Sequence, residues 1–398
     1  MDQPQPKSDH PLSGIVVVEL GDSAAAPFTG HILACLGAEV WKVERPGSGD
    51  PSRSWGGPSD SWQNAGQNAG AIFHALNRGK KSVVIDLKNA AELERLSSFI
   101  DTRADVFFHN LRPGTAGRFG LDETALTGRK PSLVYCTVGA FGARGPMNRL
   151  PGFDPLMQAY SGIMSVTGEQ GQAPVRAGVS LVDFGTGLWA AFGIMTALYT
   201  RQAMGAGTIV DSSLFETAIG WMSAGIATYQ VSKQPQMPMG SGIAFIAPYR
   251  AYPTADGYLI VACANDRLFA KLCAALGAPQ WSDDPRFRTN ADRVAHRAAL
   301  DALIVERLRP RSRGEWRTLL DEAGVPCSPI QTVDEVTHDP QTKALGLLSA
   351  PPDDPLPLVT LPLSFQGERP RPMSRAPRLG EHNAEFDKIL AKAAGGGR

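Results

Sequence analysis

One carboxylate stands out by its surroundings. In Val175-Arg-Ala-Gly-Val-Ser-Leu-Val-Asp183-Phe-Gly-Thr-Gly-Leu-Trp189, an apolar run, Val179 to Val182, ends in Asp183. Gly185-Thr-Gly187 reads as a turn, and Leu188 to Met204 as a long apolar helix. Two chemistries suit an aspartate there. It can cap the helix, accepting hydrogen bonds from the first backbone N–H groups at the positive end of the helix dipole. It can also be a covalent nucleophile, in a site where glycines let a substrate approach the backbone. The stretch alone leaves both open, and a nucleophile needs a ligand site elsewhere in the chain. Arg45, Lys88, Arg112 and Arg118 are candidates for that site. Each lies near the end of a strand-like run, so together they can converge on one anion, while any one of them can equally be an ordinary solvated charge.

The elements that must position these residues alternate along the chain. Ile15-Val-Val-Val-Glu-Leu20 reads as a buried strand, Gly21 to Ala26 as a tight turn, and Pro27 as the first turn of a helix continuing from Phe28 to Leu36. Gly37 stops that helix and Glu39 to Val43 forms a second strand. This β–turn–α–β order is the unit of a parallel sheet covered by helices. Further strands are expected at Ser82–Asp86, Ala104–His109, Leu133–Val138 and Thr208–Asp211, and helices at Ala90–Ile100 and Leu214–Tyr229. The fold class is therefore α/β. The first turn suits a nucleotide-type ligand, but the GxGxxG fingerprint is absent, which disfavours a dinucleotide. The Pro-, Gln- and Met-rich stretch from Lys233 to Pro238 marks a crossing into a second domain. That domain opens with a hairpin, Pro248–Tyr252 and Gly257–Ala262, and continues with helices at Asp266–Leu276, Arg293–Leu308 and Arg313–Ala323.

Composition narrows the partners. The chain has 398 residues, 43% of them hydrophobic, with a formal net charge of zero. That length favours two domains, and the charge balance implies no global attraction to nucleic acid or an anionic membrane. The five cysteines lack CxxC spacing and the seven histidines lack ligand spacing, so neither a disulfide framework nor a metal site is expected. The polar, proline-bearing segment from Met1 to Pro11 reads as neither a signal peptide nor a membrane span, and the expected location is the cytoplasm.

At this point the chain resembles the class III CoA-transferases, the group that includes formyl-CoA, carnitine and dicarboxylate CoA-transferases and, as cousins, the α-methylacyl-CoA racemases. The resemblance covers nearly the whole chain. It rests on Leu36-Gly-Ala-Glu-Val-Trp-Lys-Val-Glu-Arg-Pro-Gly-Ser-Gly-Asp50, Asn77-Arg-Gly-Lys-Lys-Ser82, Ala104-Asp-Val through Arg112-Pro-Gly114, Pro151-Gly-Phe-Asp154 with Gln158-Ala-Tyr-Ser-Gly162, Asp183, Pro248-Tyr249 and Asp256-Gly257. It implies a doubly wound parallel sheet in a large domain (residues 1–230), a smaller α+β domain (231–330), a C-terminal segment (331–398) returning to the large domain, and an interlocked homodimer. Asp183 occupies the position of the family's nucleophile. The family's CoA contacts fall on Ala24, Ala25, Arg45, Ile85, Lys88, Asn110, Leu111, Arg112, Arg118, Gly139, Ala140, Phe141 and Gly142. CoA thioester enters as substrate, and no tightly bound cofactor is implied. Ala24 and Gly139 replace a glutamine and a lysine of the formyl-CoA enzyme, so contacts there reduce to backbone.

The resemblance implies transfer of CoA from an acyl-CoA to a free acid through aspartyl anhydride and aspartyl-CoA thioester intermediates, in a site that excludes water. The dicarboxylate group is the nearer match, and a second carboxylate calls for a cation such as Arg176 or Arg250. Racemisation is the alternative. It needs an acid and a base on opposite faces of the α-carbon, and Phe153 stands where the racemases carry the histidine. The loop Gly240 to Tyr249 also lacks a histidine that many relatives carry. A non-catalytic CoA-binding protein is a third reading, opposed by the presence of Asp183.

Overall fold

The computed structural model describes residues 10–57 and 69–395. The start of the polar N-terminal segment (1–9) and the end of the glycine-rich terminus (396–398) lie outside the described residues. Two compact units emerge. The larger comprises 1–161, 177–227 and 340–398, and the smaller 162–176 and 228–339. The divisions expected at 230/231 and 330/331 fall at 227/228 and 339/340, and one further segment changes unit. Residues 162–176 group with the smaller unit, where the Gly240 N–H donates to the Gly168 carbonyl. The segment to 339 stays there too, because Arg313 forms an ion pair with Glu335.

The larger unit is built on six parallel strands. They are β1 (Val16–Leu20), β2 (Glu39–Glu44), β3 (Lys80–Val84), β4 (Val106–His109), β5 (Val134–Gly139) and β6 (Ile209–Ser213), in the order β3-β2-β1-β4-β5-β6. The order reverses between β1 and β4, the point where open α/β sheets bind ligands at the carboxyl ends of their strands. Helix α1 (Ala25–Cys35) follows β1, α2 (Ala71–Asn77) precedes β3, and α3 (Ala90–Arg103) follows β3. After β4 comes a single turn, α4 (Thr115–Arg118), and then α5 (Glu123–Arg129). Between β5 and β6 lie α6 (Asp154–Tyr160), α7 (Ile163–Val166) and the long α8 (Leu181–Met204). Helices α9 (Leu214–Trp221) and α10 (Ser223–Ser232) follow β6, breaking at Met222 the single helix expected over 214–229.

Helices cover both faces of the sheet. On one side Val16, Val18, Trp41, Val43 and Phe107 pack with Phe99 of α3 and with Phe386 of the C-terminal helix (Asn383–Gly395). The Phe99 and Phe386 rings stack at 4.5 Å between centroids. On the other side Ile32, Cys35 and Leu36 meet Ala191 of α8 and Leu361 of the returning tail. Below α1 the core is ionic. Glu19 points to this face, where Lys42 Nζ sits 2.9 Å and Lys80 Nζ 2.8 Å from its two carboxylate oxygens. Lys42 also pairs with Asp50 at 2.8 Å. All four side chains are buried. Two cations and two anions close this cluster on itself, which is what makes such burial tolerable.

In the smaller unit, β7 (Tyr249–Pro253), β8 (Tyr258–Ala262) and β9 (Cys327–Pro329) form an antiparallel sheet. Tyr252, Leu259 and Val261 pack with Phe269, Leu300 and Trp316 of its helices. The helix expected over 293–308 is two, Asn290–Ala295 and Arg297–Leu308. The first is closed by a Thr289–Asp292 capping box.

Candidate active site

The aspartate singled out from the sequence sits three residues into α8, not at its cap. Ser180 is the N-cap and gives no side-chain cap bond. The capping carboxylate comes from another helix. Asp154, the first residue of α6 and buried, accepts the Val182 N–H at 2.8 Å and the Asp183 N–H at 3.3 Å through Oδ2. Its other oxygen accepts from Gln158 Nε2, and Gln158 Oε1 in turn accepts the Ala177 N–H at 2.8 Å. Among the described residues no hydrogen bond engages the Asp183 carboxylate. Burial, and the Asp154 charge beside it, push the Asp183 carboxyl up to about 7.

The helix starts before Leu188, inside the run Val179–Val182. The run's last two residues start the helix, and Gly185 and Gly187 lie within α8 rather than in a turn. Their role is close packing. A Cβ on Gly187 would fall 2.6 Å from the Ala25 carbonyl oxygen, and one on Gly185 2.8 Å from Trp221. Thr29 Oγ1 stitches the two helices, donating within reach of both the Ala25 (3.1 Å) and Gly187 (3.2 Å) carbonyls. The second turn of α8 is thereby pressed against the start of α1, at Ala25 and next to its N-cap Ala24.

The turn that leads into α1 is pinned at successive residues. Lys42 Nζ donates to the Gly21 carbonyl at 2.8 Å. Asn110, after β4, takes the Asp22 N–H (3.1 Å) and gives to its carbonyl (2.8 Å). Asp50 accepts the Ser23 N–H at 3.2 Å, holding that residue at a φ of 71°. α1 then begins at Ala24 without a side-chain cap.

The remaining expected contacts lie along the same carboxyl-terminal edge of the sheet. Arg45 follows β2, but its guanidinium is paired with Asp22 at 2.8 Å. Ile85 follows β3 with its side chain in the core, so only its backbone faces outward chemistry. Lys88 is exposed just beyond it. Leu111 gives its N–H to His109 Nδ1 at 3.2 Å, while His109 Nε2 meets the Tyr135 hydroxyl at 2.6 Å. Burial pushes His109 down to about 4, so it is neutral, with the proton assigned to Nε2. Arg112 and Arg118 are exposed. Arg118 bonds only the Thr115 hydroxyl, at 3.0 Å. Lys88, Arg112 and Arg118 form no ion pair among the described residues, so their charges are available to an anion. Gly139 to Gly142 leave β5 with the Ala140 carbonyl bonded to the Phe215 N–H (2.9 Å) and the Phe141 ring against Tyr160 of α6. That ring contact joins this segment to the helix that carries Asp154.

Sequence reasoning quoted Asp154 and Gln158 within a motif but gave them no role, since their partners lie 19 to 29 residues away. The i, i+4 spacing of Asp154 and Gln158 at a helix start was the available signal. In the smaller unit, Arg250 is paired with Asp301 at 3.1 Å, which also accepts from the Tyr252 hydroxyl. Among the described residues no group of three His, Cys, Asp or Glu side chains could hold a metal ion.

The reversing parallel sheet thus carries, along its carboxyl edge, three cations with no ion pair among the described residues and an aspartate whose carboxylate makes no hydrogen bond among them. Comparison with known proteins gives the protein's class: residues 12–383 match the model of CoA-transferase family III, and the chain belongs to that family. It is 36% identical to a succinate–glutarate CoA-transferase of Agrobacterium fabrum, over 96% of each chain. It is 33% identical to an acetyl-CoA:oxalate CoA-transferase of Acetobacter aceti, over 97% of each. Among solved structures, a CAIB/BAIF family protein from Brucella suis superposes with a TM-score of 0.88 at 38% identity, covering 96% of this chain and all of that one. Rv3272 from M. tuberculosis superposes at 0.83 with 28% identity, over 95% and 99%. The protein is therefore an enzyme of the CoA-transferase class, a class that acts on CoA thioesters.

Proposed function

We propose that this enzyme moves CoA from an acyl-CoA donor to a free dicarboxylic acid, with Asp183 as the covalent nucleophile. The observation that carries the reading is the Asp183 carboxylate itself. It is half-buried and unbonded at the head of α8, while Asp154 performs the capping that a lone aspartate there would otherwise explain. Relatives named for succinate, glutarate and oxalate transfer support the substrate class.

The steps balance as follows. An Asp183 oxygen attacks the thioester carbonyl and the C–S bond breaks, leaving an acyl–aspartyl anhydride and CoA thiolate. The thiolate attacks the aspartyl carbonyl, releasing the donor acid and forming an aspartyl-CoA thioester. The acceptor carboxylate attacks that thioester, giving a second anhydride and thiolate again. The thiolate then attacks the acceptor's carbonyl, and product thioester departs with Asp183 regenerated. Because both acids and the thiolate stay bound, each step draws on a high effective concentration. Lys88, Arg112 and Arg118 would hold the CoA phosphates, with the backbone of Ala24–Ala25 and Gly139–Gly142 lining the thioester arm.

The apolar side chains that α8 exposes, Phe184, Leu188, Trp189, Phe192 and Tyr199, support a homodimer in which a second copy covers them. α8 has the length and apolarity of a membrane-crossing helix, yet half of its apolar stretch is buried in the fold.

The test is a panel of acyl-CoA donors against mono- and dicarboxylic acids, read by mass spectrometry of the CoA products, on the parent and on Asp183→Asn. Dicarboxylate transfer by the parent, a loss of at least a thousandfold in the Asn variant, and hydroxylamine capture on the Asp183 peptide only when acyl-CoA is present are expected. An Asn variant turning over at parental rates would rule the nucleophile out.

A further inference from the structure

We propose that Asp154 and Gln158 are positioning residues that take over the capping of α8, so that the Asp183 carboxylate is left free to attack. This rests on the reading of Asp183 as nucleophile. The geometry is a short relay. The Ala177 N–H is fixed by Gln158 Oε1, Gln158 Nε2 fixes Asp154 Oδ1, and Asp154 Oδ2 fixes the Val182 and Asp183 N–H groups. Asp154 and Gln158 are both fully shielded, so water offers no substitute partner. An aspartate at the third helical position can fold back onto its own helix end or onto a capping residue's N–H. Here the Leu181 N–H goes to the Val179 carbonyl, the Phe184 N–H to the Ser180 carbonyl, and the two N–H groups between them to Asp154. These four donors leave Asp183 no part in capping them.

The relay also sets the charge beside the nucleophile. A bare helix start would favour the ionised aspartate and make it a weaker base. A buried carboxylate placed on the same N–H groups offsets that field and repels a second negative charge. The elements packed against α8 bring few other ionisable groups. α1 carries His31, which burial pushes down to about 3 and keeps neutral. α9 carries Glu216, whose carboxylate accepts from the Ser213 hydroxyl at 2.6 Å. β5 carries Tyr135 and Cys136, both held protonated by burial. β6 carries Asp211, and α6 carries Tyr160 besides Asp154. Of all these, Asp154 is the charge that bears on Asp183.

The relay can be inverted without losing a bond, and this separates positioning from plain structural support. In the double variant Asp154→Asn with Gln158→Glu, the new amide oxygen still accepts from Val182 and Asp183. Its NH2 donates to the new carboxylate, whose second oxygen still accepts from Ala177. Net charge is conserved, but the negative charge moves one side chain further from Asp183. Each variant is assayed for thermal stability and for single-turnover acylation of Asp183 by succinyl-CoA from pH 5 to 9, trapped with hydroxylamine. Asp154→Asn alone should melt lower than the parent, since one amide of the relay then faces another donor. The double variant should regain the parental melting temperature. In both, the acid limb of the acylation profile should move down by at least about half a pH unit, because a like charge has been removed from beside the nucleophile.

A double variant that folds like the parent but keeps the parental acid limb overturns the inference, and so does one that fails to fold with every bond conserved. Neither result touches the nucleophile assignment, which stands or falls on Asp183→Asn.

Discussion

The neighbourhood of Asp183 allowed either a helix cap or a nucleophile. The Val182 and Asp183 N–H groups are capped by a second carboxylate, Asp154, and this supports the proposed role of Asp183. The raised carboxyl has a thermodynamic signature. An unperturbed aspartate in the unfolded chain ionises near 4, while the folded value is about 7. Between those values the native state keeps a proton that the unfolded state has lost. Its contribution to stability is fully present below about pH 4 and is lost as pH rises through 7. Asp183→Asn removes this dependence. The variant should therefore be more stable than the parent in urea denaturation at pH 8, with the advantage shrinking at pH 5. Activity runs the other way, because the parent needs the ionised form and its transfer rate should fall below pH 7. Equal stability of the two proteins at both pH values would show that Asp183 ionises freely. The motif containing Asp154 was legible as a motif. Its function was not, because a bond to a backbone 28 residues away leaves no periodic trace.

At the scale of elements, most of the sheet could be read directly. β1, β4 and β5 are short, largely apolar runs, and the two or three β-branched or aromatic residues in each of β2, β3 and β6 sufficed to place all six strands within a residue or two. The start of α8 was missed because Gly185 and Gly187 read as a turn, whereas they lie inside the helix and serve its close packing. The ionic cluster was missed for another reason. Glu19, Lys42 and Lys80 each occupy an inward position of a strand, and only the pairing of β1, β2 and β3 brings opposite charges together. The glycines of α8 yield a direct test of how the helix that carries Asp183 is held. A methyl at Gly187 meets a backbone carbonyl, which cannot rotate away, so α8 and α1 must separate. Gly187→Ala should cost about 1–3 kcal/mol of stability, typical of overpacking, and should lower turnover as well. Gly128→Ala serves as the control, since open space surrounds that helical position. A Gly187→Ala protein with parental stability and turnover would mean that the two helices do not need their close approach.

For the molecule as a whole, the exposed apolar stripe on α8 is the feature that a solitary chain leaves unexplained. A pair of charges placed on it, Leu188→Arg with Phe192→Glu, should convert the proposed dimer to a monomer in sedimentation velocity. Parental mass with both substitutions in place would remove α8 from the interface. The division into two units was legible from the shift in composition near Lys233 to Pro238, but its outer limits were not. Which unit a loop joins is decided by bonds such as Gly240 to Gly168 and Arg313 to Glu335, formed across long stretches of chain.

The return of residues 340–395 to the large unit has a consequence for how the protein is made. Trp41 and Phe99 emerge from the ribosome well before the ring that covers them, Phe386, which follows the whole of the sheet and the smaller unit in the chain. At translation speeds of about 5–20 residues per second, the sheet waits roughly ten seconds or more after β6 appears before that face can close. The smaller unit, almost all of it encoded in one stretch within that interval, can fold meanwhile. Birth of the large unit is therefore an act of completion, with an aromatic face left open until the helix that carries Phe386 docks.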